Sequence, residues 1–184
     1  MNVSLSPDGK AVTYVGGLRG ESPVVWVRRL ADPTPKPIPG TEGAKWPFWS
    51  PDGKSIAFWS GNFLKRVNLE TGSVQNIAPG HYGVGGAWSH KGTIVFARRF
   101  NEGLFRVNAA GGEAAPVTKI DASRRESGHL WPHFLSDGER FLYCPVDVTD
   151  EDQVAAGIAA ALERFGSIDI LVNNVGKGLD PVPL

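Results

Sequence analysis

The feature that most constrains the fold is a short turn-forming unit that recurs along the first three quarters of the chain. Ser-Pro-Asp-Gly-Lys stands at residues 6–10 and again at 50–54, and altered forms of it stand at 89–93 and 135–139. The glycines of successive turns lie 44, 39 and 46 residues apart. Asp-Gly with a preceding proline suits the tight turn of a β-hairpin. The repeat therefore predicts that each unit builds one antiparallel sheet.

The apolar runs around these turns divide the first part of the chain into blade-like units. Three complete units of four strands cover about residues 2–39, 43–79 and 82–119, and half of a fourth begins at about residue 129. A recurrence of about 40–45 residues is typical of a β-propeller. Aromatic residues come before the turns, as at 46–49, and we expect them to fill the core between blades rather than to form a ligand platform.

The pattern changes near residue 144, which predicts a boundary between a domain at 1–143 and a second at 144–184. Thr149 can cap a helix, apolar residues then follow at helical spacing, and Gly166 ends it. Residues 168–172 form an apolar run that predicts a buried parallel strand. The predicted fold class is therefore mainly β: a partial β-propeller followed by a C-terminal α/β (strand–helix–strand) Rossmann-like fragment.

The repeats resemble those of TolB-like propellers. The resemblance rests on Trp-Ser-Pro-Asp-Gly-Lys at 49–54 and Val-Asn-Leu-Glu-Thr-Gly at 67–72. A more specific likeness is to the propeller region of bacterial serine/threonine protein kinases, through motifs at residues 25–28, 39–44, 109–113 and 129–135. It implies a propeller that binds protein partners or small ligands outside the membrane. It does not imply kinase activity, because the sequence contains none of the kinase motifs.

Residues 145–176 resemble the middle of a short-chain dehydrogenase/reductase. The resemblance implies contacts with the adenine ring and along the cofactor NAD(P), from Asp147, Val148, Asn173, Asn174 and Gly176. Val175 stands where that family has alanine.

The remaining motifs of a dehydrogenase are not found in the sequence. The glycine-rich run at 83–86 precedes a predicted strand rather than a helix, so it lacks the helix N-terminus that binds a pyrophosphate. None of the three tyrosines is followed by lysine four residues later, as the catalytic Tyr-x-x-x-Lys requires. We therefore expect no catalytic residues and no enzyme activity, and no cofactor unless the C-terminal segment has kept NAD(P) binding.

Composition and spacing argue against several other sites and partners. Nineteen basic residues balance nineteen acidic ones, so no net field favours nucleic acid. The four histidines, at 81, 90, 129 and 133, lack a metal-site spacing, and we expect no metal. Asp8, Asp52 and Asp137 lie in the repeated turns and are predicted to be structural. No apolar run has membrane-spanning length or the look of a signal peptide, so a cytoplasmic location is expected for the chain as written.

Several functional hypotheses stay open. The preferred one is a propeller-type binding or scaffold module that contacts a protein or small ligand, in a truncated or chimeric chain without activity. The alternatives are a fragment of an NAD(P)-dependent oxidoreductase of the short-chain dehydrogenase family and the sensor region of a kinase that lacks its kinase domain. An incomplete last blade also predicts exposed strand edges and self-association.

Overall fold

A computed structural model describes residues 3–17, 20–81, 83–124, 126–134 and 151–165. The chain divides into two compact units, Met1–Phe141 and Leu142–Leu184.

The first unit contains three four-stranded antiparallel sheets in its described residues. Sheet 1 consists of β1 (Val3–Leu5), β2 (Ala11–Gly16), β3 (Val24–Arg29) and β4 (Lys36–Pro37). Sheet 2 consists of β5 (Lys45–Trp49), β6 (Ser55–Ser60), β7 (Phe63–Asn68) and β8 (Val74–Pro79). Sheet 3 consists of β9 (Val84–Trp88), β10 (Thr93–Ala97), β11 (Phe105–Asn108) and β12 (Ala115–Pro116). Strands neighbour one another in chain order within each sheet, which confirms the three predicted blades.

The repeated turn is held by its serine and aspartate side chains. In the second turn the Ser50 hydroxyl donates to Asp52 Oδ1 at 2.6 Å, and the Lys54 amide donates to the same oxygen at 3.0 Å. Ser6 and Asp8 make the same contacts in the first turn. The serine hydroxyl in each turn is the main cause that lowers the carboxyl pKa of Asp8 and of Asp52.

These bonds give the recurring aspartates a structural role in the turns. The third turn has no aspartate and is one residue shorter, yet Ser89 Oγ still accepts the Thr93 amide at 3.1 Å. Asp137 lies outside the described residues.

The core lies between the sheets, at positions that repeat from blade to blade. On the central strands, Ile56 and Phe58 of sheet 2 are fully buried against sheet 1. The equivalent pair in sheet 3, Ile94 and Phe96, is fully buried against sheet 2. Phe96 packs there between Trp59 and Phe105, with ring centroids 5.7 and 6.4 Å away.

Sheet 1 has no such neighbour among the described residues on its other face. Val12 and Tyr14 occupy the positions of Ile56 and Phe58 but are only half-buried. Beside them on β1, the side chains of Val3 and Leu5 are 62% and 58% exposed. Sheet 2 is thus covered on both faces, whereas sheet 1 is covered on one.

The second unit is described only through one helix, α1 (Glu151–Phe165), which confirms the predicted helix. Val154 and Ile158 are half-buried, as expected of the apolar face, but Leu162 is exposed. The predicted cap Thr149, the strand at 168–172 and the half blade beyond Phe134 lie outside the described residues. In the described part of the chain, no helix has both the length and the apolar character needed to cross a membrane.

Candidate ligand cavity

The innermost strands of the three sheets line an open cavity of about 450 Å³. Its wall comes from β1, β5, β9 and the end of the first unit's described chain. The principal side chains are Leu5, Phe48, Trp49, Trp88, His90, His133 and Phe134. A cavity of this volume is in the range that small-molecule sites in proteins occupy, about 300–1,000 Å³.

The aromatic runs before the turns are divided between the core and this cavity. Phe48 is buried in the core between sheets 2 and 3. Trp49 is half-buried, and its indole N–H donates to the Ser4 carbonyl at 3.2 Å, which fixes its ring beside β1. Trp88 and Phe134 are half-buried at the cavity wall. These aromatics serve the core as predicted, since Trp49, Trp88 and Phe134 also pack against the buried clusters, but the prediction leaves out the cavity that they line.

Two tryptophans near the start of the inner strands have an unusual backbone. Trp46 and Trp131 have φ of 53° and 57°, a region that bulky residues rarely adopt. Each precedes a proline, and their rings meet edge to face with centroids 4.7 Å apart. Gly85, the equivalent residue of sheet 3, has φ of +64°. The same backbone turn therefore begins the inner strand in sheets 2 and 3, and Trp131 repeats it in the segment that follows.

The glycine run at 83–86, considered above as a phosphate turn, has a packing role instead. A Cβ at Gly83 would lie 2.1 Å from Trp59 Cε2, and one at Gly86 would lie 2.5 Å from Phe48 Cζ. At Gly85 the ring of Trp131 is equally close, at 2.7 Å. The rings of Phe48, Trp59 and Trp131 thus pack directly against the backbone of these three glycines.

A buried polar network holds the segment that follows sheet 3. His129, 2% exposed, has Nδ1 2.6 Å from the Thr118 hydroxyl and Nε2 3.1 Å from Glu126 Oε2. Thr118 Oγ1 also accepts the Leu104 amide at 2.8 Å. A carboxylate can only accept, so Nε2 donates to Glu126, and in neutral histidine Nδ1 accepts from the Thr118 hydroxyl. In neutral histidine this pattern places the ring hydrogen on Nε2, facing the carboxylate.

This network resembles a hydroxyl–imidazole–carboxylate catalytic relay only in composition. The imidazole is buried, and both its nitrogens are used within the protein. The network fixes the chain between β12 and the fourth repeat.

Replacing His129 with alanine should lower the free energy of unfolding by about 2–4 kcal/mol, because the buried Thr118 hydroxyl and Glu126 carboxylate would lose their shared partner. Urea denaturation followed by tryptophan fluorescence would measure this, since all six tryptophans lie between Trp26 and Trp131 in the first unit. The matched control is His133→Ala, an exposed histidine, which should change stability by less than about 0.5 kcal/mol. Equal effects of the two substitutions would contradict the structural role of the network.

The structure does not test the predicted contacts with a dinucleotide. Asp147, Val148, Asn173, Asn174 and Gly176 all lie outside the described residues. Of the four histidines, His90 and His133 line the same cavity, whereas His129 lies in its network. The sequence analysis did not predict the residues that line the cavity. The available signal was a tryptophan that recurs at the same register of successive inner strands, as Trp49 and Trp88.

Comparison with known proteins relates the second half of the chain to dehydrogenases. Residues 105–183 match the family model of short chain dehydrogenases. A CLA biosynthesis dehydrogenase/reductase from Lactiplantibacillus plantarum is 31% identical over 91 residues, which are 48% of this chain and 32% of that protein. The 2-(R)-hydroxypropyl-CoM dehydrogenase of Xanthobacter autotrophicus is 48% identical over 44 residues, 24% of this chain and 18% of that protein. The chain thus spans a third or less of the length of these relatives.

Comparison of structures relates the sheets to propellers. TolB from Acinetobacter baumannii superposes with a TM-score of 0.60 and 21% identity, over 79% of this chain and 38% of that one. The β-propeller domain of the Trilobed protease from Pyrococcus furiosus gives a TM-score of 0.51 and 20% identity, over 66% of this chain and 42% of that one. At this identity the likeness shows the fold alone: the three sheets have the arrangement of TolB-like β-propellers.

These comparisons correct the prediction that the chain is not an enzyme. That prediction was wrong, because the match to short chain dehydrogenases and the dehydrogenase relatives point to an oxidoreductase. The match also begins at residue 105, inside sheet 3, well before residues 145–176, to which the sequence analysis confines the resemblance. The error came from treating missing motifs as evidence against the chemistry in a chain that covers only part of its relatives.

Proposed function

We propose that this chain is part of an NAD(P)-dependent oxidoreductase in which a propeller-type binding module precedes a short-chain dehydrogenase segment. The observation that carries the proposal is the family match over residues 105–183, supported by dehydrogenase relatives. In this proposal the second unit supplies the dinucleotide contacts, and substrate chemistry belongs to the whole oxidoreductase.

The cofactor contacts proposed for this chain are those of the family motifs. Asp147 and Val148 would receive the adenine ring, and Asn173, Asn174 and Gly176 would lie along the dinucleotide. A polar side chain that bonds a ligand directly contributes to affinity, and its loss leaves the ligand's polar group unpaired. The helix α1 stands between these two motifs in the chain, as the strand–helix–strand order of the proposal requires.

Titration of the purified chain with NADH and NADPH, followed by calorimetry, tests this function. We expect saturable binding of at least one dinucleotide, weakened about tenfold by Asp147→Ala or Asn173→Ala. Glu163→Gln, an exposed change on α1, is the matched control and should leave the affinity unchanged. The proposal fails if neither dinucleotide binds at millimolar concentration, or if the control weakens binding as much as the motif substitutions do.

A binding role for the sheets is favoured by a separate observation, the cavity among their inner strands. Under this proposal the partner is a small ligand that enters the cavity. The narrower likeness to kinase-associated propellers, a cytoplasmic location and self-association through open blade edges stay predictions.

A further inference from the structure

The described residues of the cavity wall combine aromatic surface with hydrogen-bond donors. Among its described lining residues, Trp49, Trp88 and Phe134 supply aromatic groups, and none is aspartate, glutamate, lysine or arginine. A planar ring in the ligand could pack against such side chains, which contribute both area and ring–ring attraction.

Three side-chain donors at this wall have no acceptor among the residues that the structure describes. They are the indole N–H of Trp88 and the ring nitrogens of His90 and His133. The indole of Trp49, in contrast, already donates to the Ser4 carbonyl. Histidine donates from one ring nitrogen when neutral and from both when protonated, whereas indole donates only.

A wall with donors, aromatic rings and no carboxylate selects by charge as well as by shape. A carboxylate is an acceptor-only group, so it matches these donors and meets no like charge from the lining residues. An ammonium group would find no acidic partner there, and an amide would satisfy the donors less well because its oxygen carries no full charge.

We propose that the cavity binds a small aromatic carboxylate, with its ring against Trp49, Trp88 and Phe134 and its carboxylate held by His90, His133 and the Trp88 indole. This inference rests on the binding role proposed for the sheets and is independent of the dinucleotide.

The test compares three probes of the same shape by calorimetry: phenylacetate, phenylacetamide and phenethylamine. Phenylacetate should bind with a Kd of about 1 mM or tighter, at least about fivefold better than the amide, and the amine should not bind measurably. On phenylacetate binding, the indole N–H resonance of Trp88, assigned through Trp88→Phe, should shift.

Variants distinguish a built site from general association with aromatic surface. His90→Ala combined with His133→Ala should weaken phenylacetate binding about tenfold or more. His81→Ala removes an exposed histidine that does not line the cavity and should change Kd less than about twofold. Thermal melts of each variant show that the fold is retained.

The inference is overturned if phenylacetate and phenylacetamide bind equally, if His81→Ala weakens binding as much as the double variant, or if phenylacetate does not bind at ten-millimolar concentration. An NADH titration of the same sample separates the two proposals. If NADH binds and phenylacetate does not, the inference falls while the oxidoreductase proposal stands. If phenylacetate binds and NADH does not, the reverse holds.

Discussion

Replacing Phe96 with alanine should lower the free energy of unfolding of the first unit by about 3–5 kcal/mol, because it would leave a large cavity in the core. Phe96 is fully buried, and its ring packs against Trp59 on one side and Phe105 on the other. It lies between sheets 2 and 3, so the loss would weaken the contact that holds two blades together. Urea denaturation followed by tryptophan fluorescence provides the measurement.

The control for this change is Phe100→Ala, an exposed phenylalanine four residues along the chain. It should cost less than about 0.5 kcal/mol, because its ring is already largely in water. If Phe96→Ala were to cost no more than the control, the packing of sheet 3 against sheet 2 would be wrong.

Replacing Gly83 with alanine should also lower the free energy of unfolding of the first unit, by about 1–3 kcal/mol, through overpacking. The added methyl would lie within 2.3 Å of three atoms of the Trp59 indole, a rigid ring that is itself buried. The expected result is a lower urea midpoint with an unchanged dependence on denaturant.

A double-mutant cycle identifies the cause. In a Trp59→Leu background the indole is gone, so Gly83→Ala should cost at least about 1 kcal/mol less than it does in the native chain. Gly16→Ala is the matched control, since its Cβ would meet only ordinary contacts, at 3.4 Å from Trp26 Cδ1. Additive costs for Gly83→Ala and Trp59→Leu would contradict the clash with the ring.

The turns and the order of strands were predictable because their signals are local. The two described Asp-Gly turns carry their own hydrogen bonds within five residues, and an apolar strand begins directly after each of them. The helix α1 was predictable for the same reason, since its spacing of apolar residues is contained in one segment.

The cavity was not predictable because it depends on residues far apart in the chain. The Trp49 indole bonds to Ser4, 45 residues earlier, and Trp59 reaches the Gly85 carbonyl 26 residues later. The glycine run at 83–86 contains no sequence pattern which indicates that three aromatic rings pack against it. The left-handed backbone of Trp46 and Trp131 was likewise not predictable, because bulky residues rarely adopt a positive φ.

The uneven covering of the sheets sets an order for their local opening. Sheet 2 is packed on both faces, so its central strand β6 (Ser55–Ser60), buried at every position, can exchange its amide hydrogens with solvent only when a neighbouring sheet detaches. On the outer face of sheet 1 the side chains of Val3 and Leu5 are exposed to solvent. The edge strand β1 can therefore open on that side without breaking a contact to another sheet. In a stack where each sheet contacts only its neighbours, we therefore expect fluctuations to begin at β1 and to reach β6 last, so that the middle blade exchanges most slowly of the three described blades.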